Sequence, residues 1–328
     1  MANVRVGLVG LGYFGQVHYE VLSALKGVDV VAVSEIDAKR FNQYPLPSSV
    51  TRYDHAVTML AQEQFEVLDV VATEEVHYEL VREGLKAGRD VIVEKPFTQN
   101  SEHARDLIET ARRSGRRIYV GQILRFDSRY KMLRDELQAK QKPIRHISLQ
   151  RHFTAEDHVV YGRIDPFLVS CVHDIDLAIY LCGKPIKQVY AMTKSWLGRT
   201  NPDVAIGILE WEDGLRAVMQ NIWHLNGGPW GDDMETKVFA EGSTYVVRNE
   251  PVLQVWQPEA KLTVPEFFYW PVVGGERRGA IYEELRHFIQ CIHQGADSSV
   301  VPLDEIQNGI DTAQALMRSA KSGQVERV

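Results

Sequence analysis

The run Val4–Val9 ends directly in Gly10-Leu-Gly12-Tyr13-Phe14-Gly15, after which Phe14, Val17, Val21 and Leu25 recur at helical spacing. A strand, a turn holding three glycines and a helix, in that order, leave few folds open. Gly10 permits a tight turn, Gly12 lets the backbone come close to a ligand, and Gly15 lets the helix pack against the strand. The helix that opens there presents unpaired N–H groups to the turn, which suits the diphosphate of a dinucleotide. The residues Gly10, Gly12, Tyr13, Phe14 and Gly15 are therefore cofactor-binding candidates. Glu35 follows the next strand-like run, Val28–Val33, and lies 25 positions beyond Gly10. A carboxylate there accepts hydrogen bonds from ribose hydroxyls and repels a 2′-phosphate, which favours NAD over NADP. A solvated strand-end acid is the plainer reading of Glu35, and Ser34 and Arg40 stand close enough to serve a 2′-phosphate, so NADP stays open.

The alternation continues. Strand-like runs at Val67–Ala72, Asp90–Val93 and Ile118–Val120 are separated by helical stripes, Tyr78, Val81 and Leu85 in one and Ala104, Leu107, Ile108 and Ala111 in the other. Asn100 is placed to cap the second stripe, and Gly88 and Gly115 close the two. Short apolar strands interleaved with amphipathic helices predict a parallel α/β sheet covered on both faces, a Rossmann domain over residues 1–122. The pattern then changes. Ile147, Leu149 and Phe153 alternate with His146, Ser148, Gln150 and His152, a half-buried strand. Val204–Trp211 and Leu215–Trp223 flank an Asp213-Gly214 turn, and Val238–Ala240 and Tyr245–Val247 flank Glu241-Gly242, both with hairpin chemistry. Helical stripes Leu285–Ile292 and Ile306–Met317 close the chain. Residues 123–328 thus read as an α+β domain with a large, mostly antiparallel open sheet. A chain of 328 residues exceeds what one core usually covers, in keeping with two domains.

Charge and cysteine usage narrow the class. The net charge of −7 is interspersed, with no basic stripe, so no nucleic-acid partner is expected. Val4–Val9 is too short for a signal core, and no apolar stretch is long enough to span a bilayer. Cys171, Cys182 and Cys291 are scattered and read as reduced thiols. A cytoplasmic protein with no membrane contact is the expectation.

Asp90-Val-Ile-Val-Glu94-Lys95-Pro96 sets a charged pair at the carboxyl end of a parallel strand, where such sheets bind ligands. From spacing alone, a surface ion pair explains it equally well. The glycine fingerprint, Glu94-Lys95-Pro96, Gly121 with Arg125-Phe126, and His173-Asp174-Ile175-Asp176 stand in an order that resembles the Gfo/Idh/MocA family, which includes glucose–fructose oxidoreductase and inositol dehydrogenase. The resemblance runs essentially end to end, through Phe288–Gly295 and Pro302–Gly323. It implies a nucleotide-binding domain followed by an α+β domain whose open sheet forms a homodimer or homotetramer interface. It implies that Lys95 and His173 are catalytic and flank the reacting carbon of a sugar, sugar derivative or cyclitol. Lys95 would hydrogen-bond the substrate oxygen, His173 would exchange the proton, and Asp176 would hold a neighbouring hydroxyl. Thr73, His77, Glu94, Lys95 and Arg125 join the cofactor-binding set, with Arg125 either positioning the cofactor or tying the domains together. The chemistry is consistent: oxidation of a carbinol needs a base of near-neutral pKa, which histidine supplies. An amine beside an oxidised nicotinamide has its pKa lowered by like-charge repulsion.

The chain also departs from the family pattern. Where many members carry an aspartate four positions before the histidine, this chain has Val169. Cys171 replaces a small residue, and Thr73-Glu74-Glu75 replaces a Thr-Pro-Asn turn. Arg151, on the apolar face of its strand with Leu149 and Phe153, is either a substitute substrate contact or part of a buried ion pair. Trp230, in the loop Trp223–Asp233, is a candidate for stacking on a sugar, though a plain surface loop fits equally. A metal read from His173, Asp174 and Asp176 lacks a second histidine at suitable spacing, so none is expected. Two other classes remain open: a redox-neutral sugar-modifying enzyme that retains its NAD, and a non-catalytic NAD- or sugar-binding regulator.

Overall fold

The computed structural model describes residues 3–225, 232–250, 252–257, 261–263 and 265–328. The chain divides into two units, one of Met1–Phe126 with Phe268–Ile306 and one of Asp127–Phe267 with Gln307–Val328. The first is built on β1 (Val4–Val9), β2 (Val28–Ser34), β3 (Thr51–Tyr53), β4 (Val67–Val70), β5 (Asp90–Val93) and β6 (Ile118–Val120), with α1 (Tyr13–Ala24), α2 (Ala38–Gln43), α3 (Ala56–Gln62), α4 (His77–Lys86) and α5 (Ser101–Ser114) between them. The strands lie in the order β3-β2-β1-β4-β5-β6 and every pair is parallel. The order reverses between β1 and β4. Loops leaving those two strands diverge and open a crevice, and the glycine turn after β1 sits beside it.

All of β4 and β5 is buried, as a parallel sheet covered on both faces requires. Asn100 caps α5 by accepting the His103 N–H at 2.8 Å, as predicted. The edge strand β3 has no apolar run to betray it and was not predicted. The sequence alone places a single boundary at residue 122. Residues 268–306 rejoin the first unit, because the helix Ala280–Gln294 turns Ile281, Leu285, Phe288 and Ile289 into the core that holds Val17, Tyr119 and Val120. Periodicity reveals a buried face but not which of two cores it joins.

The second unit contains α6 (Ser128–Ala139), β7 (Ile144–Thr154), α7 (Asp157–Tyr161), α8 (Pro166–Val169), α9 (Cys171–Cys182), β8 (Gln188–Lys194), β9 (Val204–Glu210), β10 (Arg216–Leu225), β11 (Asp232–Ala240) and β12 (Ser243–Arg248). Its sheet runs β12-β11-β7-β10-β9-β8 and ends on the terminal strand Glu326–Arg327. Both expected hairpins form, and among the described residues of this sheet only β7 and β10 pair in parallel. One face alternates into the core through Ile147, Leu149, Ala217, Met219 and Trp223, with α9 packed on β7 and β10. On the other face Met192 and Ile208 are exposed and Tyr190, Ile206, Val218 and Ile222 half-buried.

Candidate active site

The glycine turn has the shape a diphosphate needs. Gly10 has φ of +96°, and a Cβ there would come within 2.6 Å of the Val71 carbonyl oxygen across the crevice. A Cβ on Gly15 would lie 2.0 Å from the Gly10 carbonyl oxygen, so α1 approaches β1 only because that side chain is missing. No side chain caps α1, which leaves its first-turn N–H groups facing the turn. Tyr13 is exposed and its hydroxyl accepts from the Trp270 indole at 3.1 Å. Phe14 turns its ring away to pack edge-on against His18 and Trp270.

The Glu35 carboxylate is fixed against this turn. One oxygen accepts from the Leu11 N–H at 2.7 Å and the other from the Asp37 N–H at 2.9 Å. Each oxygen keeps a second lone pair for a ribose hydroxyl. The Arg40 guanidinium stands 3.8 Å from Glu35 and over Gly12, whereas Ser34 is buried and its carbonyl is taken by the Gly10 N–H. Of the two residues expected to help a 2′-phosphate, the structure leaves only Arg40 in position.

Beyond the crevice, His77 is 1% exposed, with one ring nitrogen 2.9 Å from the Pro96 carbonyl and the other 3.0 Å from the Ala72 carbonyl. It lies between the loops that leave β4 and β5. Thr73 is exposed at the start of the short turn before α4. Glu94 is buried and accepts the Lys95 backbone N–H at 3.2 Å, while Lys95 is half-buried. Arg125 is buried, with its guanidinium 2.8 Å from the Val300 carbonyl and also on Glu305, both within the first unit. These bonds give it a structural task there. A cavity of about 380 Å³ lined by Arg5, Glu66, Arg89, Asp90 and Arg116 opens at the amino ends of the strands and holds none of the expected site residues.

In the second unit, α9 carries His173 half-buried and Asp174 and Asp176 buried. Arg151 meets Asp174 through Nε and Nη2 at 3.0–3.2 Å, both side chains nearly inaccessible. Of the two readings of Arg151, the buried ion pair is the one this geometry supplies. Val169, at the position of the family aspartate, ends α8 and is buried. Sequence reasoning passed over Asp232, whose carboxyl is pushed up to about 6 by burial, with the Arg151 charge opposing. Trp230 lies outside the described residues. Among those residues no group of three His, Cys, Asp or Glu side chains is arranged to hold a metal, and no helix is long and apolar enough to cross a membrane.

The sequence profile of an oxidoreductase family with an NAD-binding Rossmann fold matches residues 4–122, and that of the GFO/IDH/MocA C-terminal domain matches residues 162–246. The chain belongs to the Gfo/Idh/MocA family. Its first unit is an NAD-binding domain, and the glycine cradle and Glu35 fit that cofactor. The chain is similar to the myo-inositol 2-dehydrogenase of Thermotoga maritima, at 24% identity over 310 residues and 90% of each chain. Among solved structures, the myo-inositol 2-dehydrogenase of Lactobacillus plantarum has a TM-score of 0.85 at 18% identity, over 99% of each chain. The scyllo-inositol dehydrogenase of Lactobacillus casei, solved with NAD(H) and scyllo-inositol, has a TM-score of 0.81 at 17% identity, again over 99% of each. These structures share the family fold.

Proposed function

We propose that this chain is an NAD-dependent dehydrogenase acting on a secondary alcohol of a cyclitol or a related sugar-like polyol. The observation that carries the reading is within the first unit: a turn shaped for a diphosphate at the switch point, with Lys95 at the carboxyl end of β5. The relatives named for inositol support a cyclitol as substrate.

The bound nicotinamide supplies a hydride acceptor or donor. The chain's own residues handle the rest. The first-turn N–H groups of α1 hold the diphosphate and Glu35 the ribose hydroxyls. Lys95 donates a hydrogen bond to the substrate oxygen and stabilises the charge that grows there. His173 takes the hydroxyl proton on oxidation and returns it on reduction, and Asp176 accepts from a neighbouring hydroxyl. A second copy of the chain covers the apolar outer face of the seven-stranded sheet, giving a homodimer or homotetramer in the cytoplasm. The test is NADH formation against a panel of inositols and sugars, with Lys95→Ala as control. Turnover of at least one cyclitol that collapses in the variant is expected; near-wild-type turnover by Lys95→Ala contradicts the assignment.

Val169, standing where many family members carry an aspartate, leaves open one second reading, redox-neutral catalysis with a retained NAD. Protein that purifies with nucleotide bound and shows no net change in reduced-nicotinamide absorbance would favour it.

A further inference from the structure

The first unit buries a line of charge that the proposed chemistry does not use. Asp69 lies in the middle of β4, among Val67, Leu68 and Val70, and is inaccessible to solvent. Its carboxylate meets the Nδ1 of His18 at 2.9 Å. His18 belongs to α1, the helix that opens at the glycine turn, and is 1% exposed. Its Nε2 faces the Glu94 carboxylate at 3.4 Å, an ion pair rather than a hydrogen bond. The other oxygen of Glu94 accepts the Lys95 backbone N–H. Gly121 leaves room for this arrangement, since a Cβ there would lie 2.5 Å from Glu94 Oε1.

An acid buried in an apolar strand is costly unless it is paired. Here it is paired, and the pairing has a direction. Asp69 anchors the imidazole, the imidazole anchors Glu94, and Glu94 holds the peptide of Lys95. We propose that His18 is a positioning residue for Lys95: fixed between Asp69 and Glu94, it sets the carboxylate that receives the Lys95 N–H and so ties the lysine to the helix of the cofactor cradle. The proposal rests on the reading of Lys95 as a catalytic residue. A misplacement of even 1 Å at a reacting group lowers rates by about a hundredfold, so such a tie bears on turnover more than on cofactor affinity.

The test uses His18→Gln and Glu94→Gln in the full chain, with two readouts. Hydrogen exchange at the Lys95 amide, resolved by NMR, needs no substrate. In the folded variants it is expected to accelerate at least about tenfold, as loss of a charge-assisted hydrogen bond allows, while the amides of Leu22 and Val91 keep their protection. Steady-state kinetics are expected to show kcat reduced by roughly ten- to a hundredfold in both variants, with KM for NAD little changed in His18→Gln. A purely structural role would expose all these amides together and leave kcat per folded molecule intact. An unaltered Lys95 amide in both folded variants overturns the proposal. If Lys95→Ala keeps full turnover, the catalytic reading fails instead, and the exchange data still decide whether His18 holds the Lys95 peptide.

Discussion

Replacing Gly15 with alanine would put a methyl group 2.0 Å from the Gly10 carbonyl oxygen, where carbon and oxygen seldom approach closer than about 3.3 Å. Both partners are backbone, so no rotamer relieves the clash and the start of α1 must withdraw by roughly 1 Å. Overpacking of this kind costs about 1–3 kcal/mol, offset by up to about 1 kcal/mol from the better helix propensity of alanine. The net is about 0–3 kcal/mol, so for a unit of this size the melting temperature falls by up to roughly 12 °C. The same withdrawal carries the N–H donors away from the diphosphate. Losing one charge-assisted hydrogen bond raises KM for NAD by about ten- to a hundredfold. Gly12 is the control. A Cβ there meets only Arg40 Nη1, at 2.6 Å, the tip of a half-exposed side chain that can swing aside. Gly12→Ala should therefore change stability by less than about 1 kcal/mol. The assay is thermal melting paired with NAD titration by quenching of intrinsic fluorescence. Equal melting temperatures and NAD affinities for Gly15→Ala and wild type would refute the close packing on which the cradle depends.

Three further outcomes follow from the same geometry. Asp174→Ala strands the Arg151 charge in the core of the second unit, so urea denaturation should show a loss of about 3–5 kcal/mol; a loss near zero would mean that Arg151 does not depend on this pair. Glu35→Ser removes the carboxylate beside Arg40, and the ratio of kcat/KM for NADP to that for NAD should rise by roughly tenfold or more; an unchanged ratio would mean that Glu35 does not face the ribose. Burial alone would depress the His18 imidazolium, yet Asp69 and Glu94 outweigh it and raise its pKa to about 10. A raised folded-state value stabilises in full below the ordinary 6.5 and is lost as pH climbs towards about 10. The stability gap between wild type and His18→Gln should therefore be widest near pH 6 and narrow towards pH 10, and a constant gap would contradict the ion pairing.

The first unit was legible because its signals are local. A β-branched run, a glycine turn and a helical stripe lie within about one βα unit, and the Asn100 cap of α5 is a contact between neighbours in sequence. What the sequence withheld depends on distant partners. His18 reads as one more residue on a helix, and only the fold brings it to Asp69, 51 positions away. The carbonyls that face the His77 ring belong to Pro96 and Ala72, on two different loops, and nothing in the local sequence points to them. Arg151 showed itself as a charge on an apolar face; its partner Asp174 was in view in the sequence, though nothing in the spacing joined them. The helix Ala280–Gln294 displayed its buried stripe clearly, yet not the core it would enter.

Deuterium tracing tests the central claim most directly. The enzyme is incubated with NAD and an inositol labelled at the carbinol carbon, and the nicotinamide is examined by mass spectrometry. Deuterium should appear on the reduced nicotinamide ring, in wild type but not in Lys95→Ala. Label that stays in the sugar or washes into water, with no labelled NADH formed from any cyclitol supplied, would contradict hydride transfer as the function of this chain.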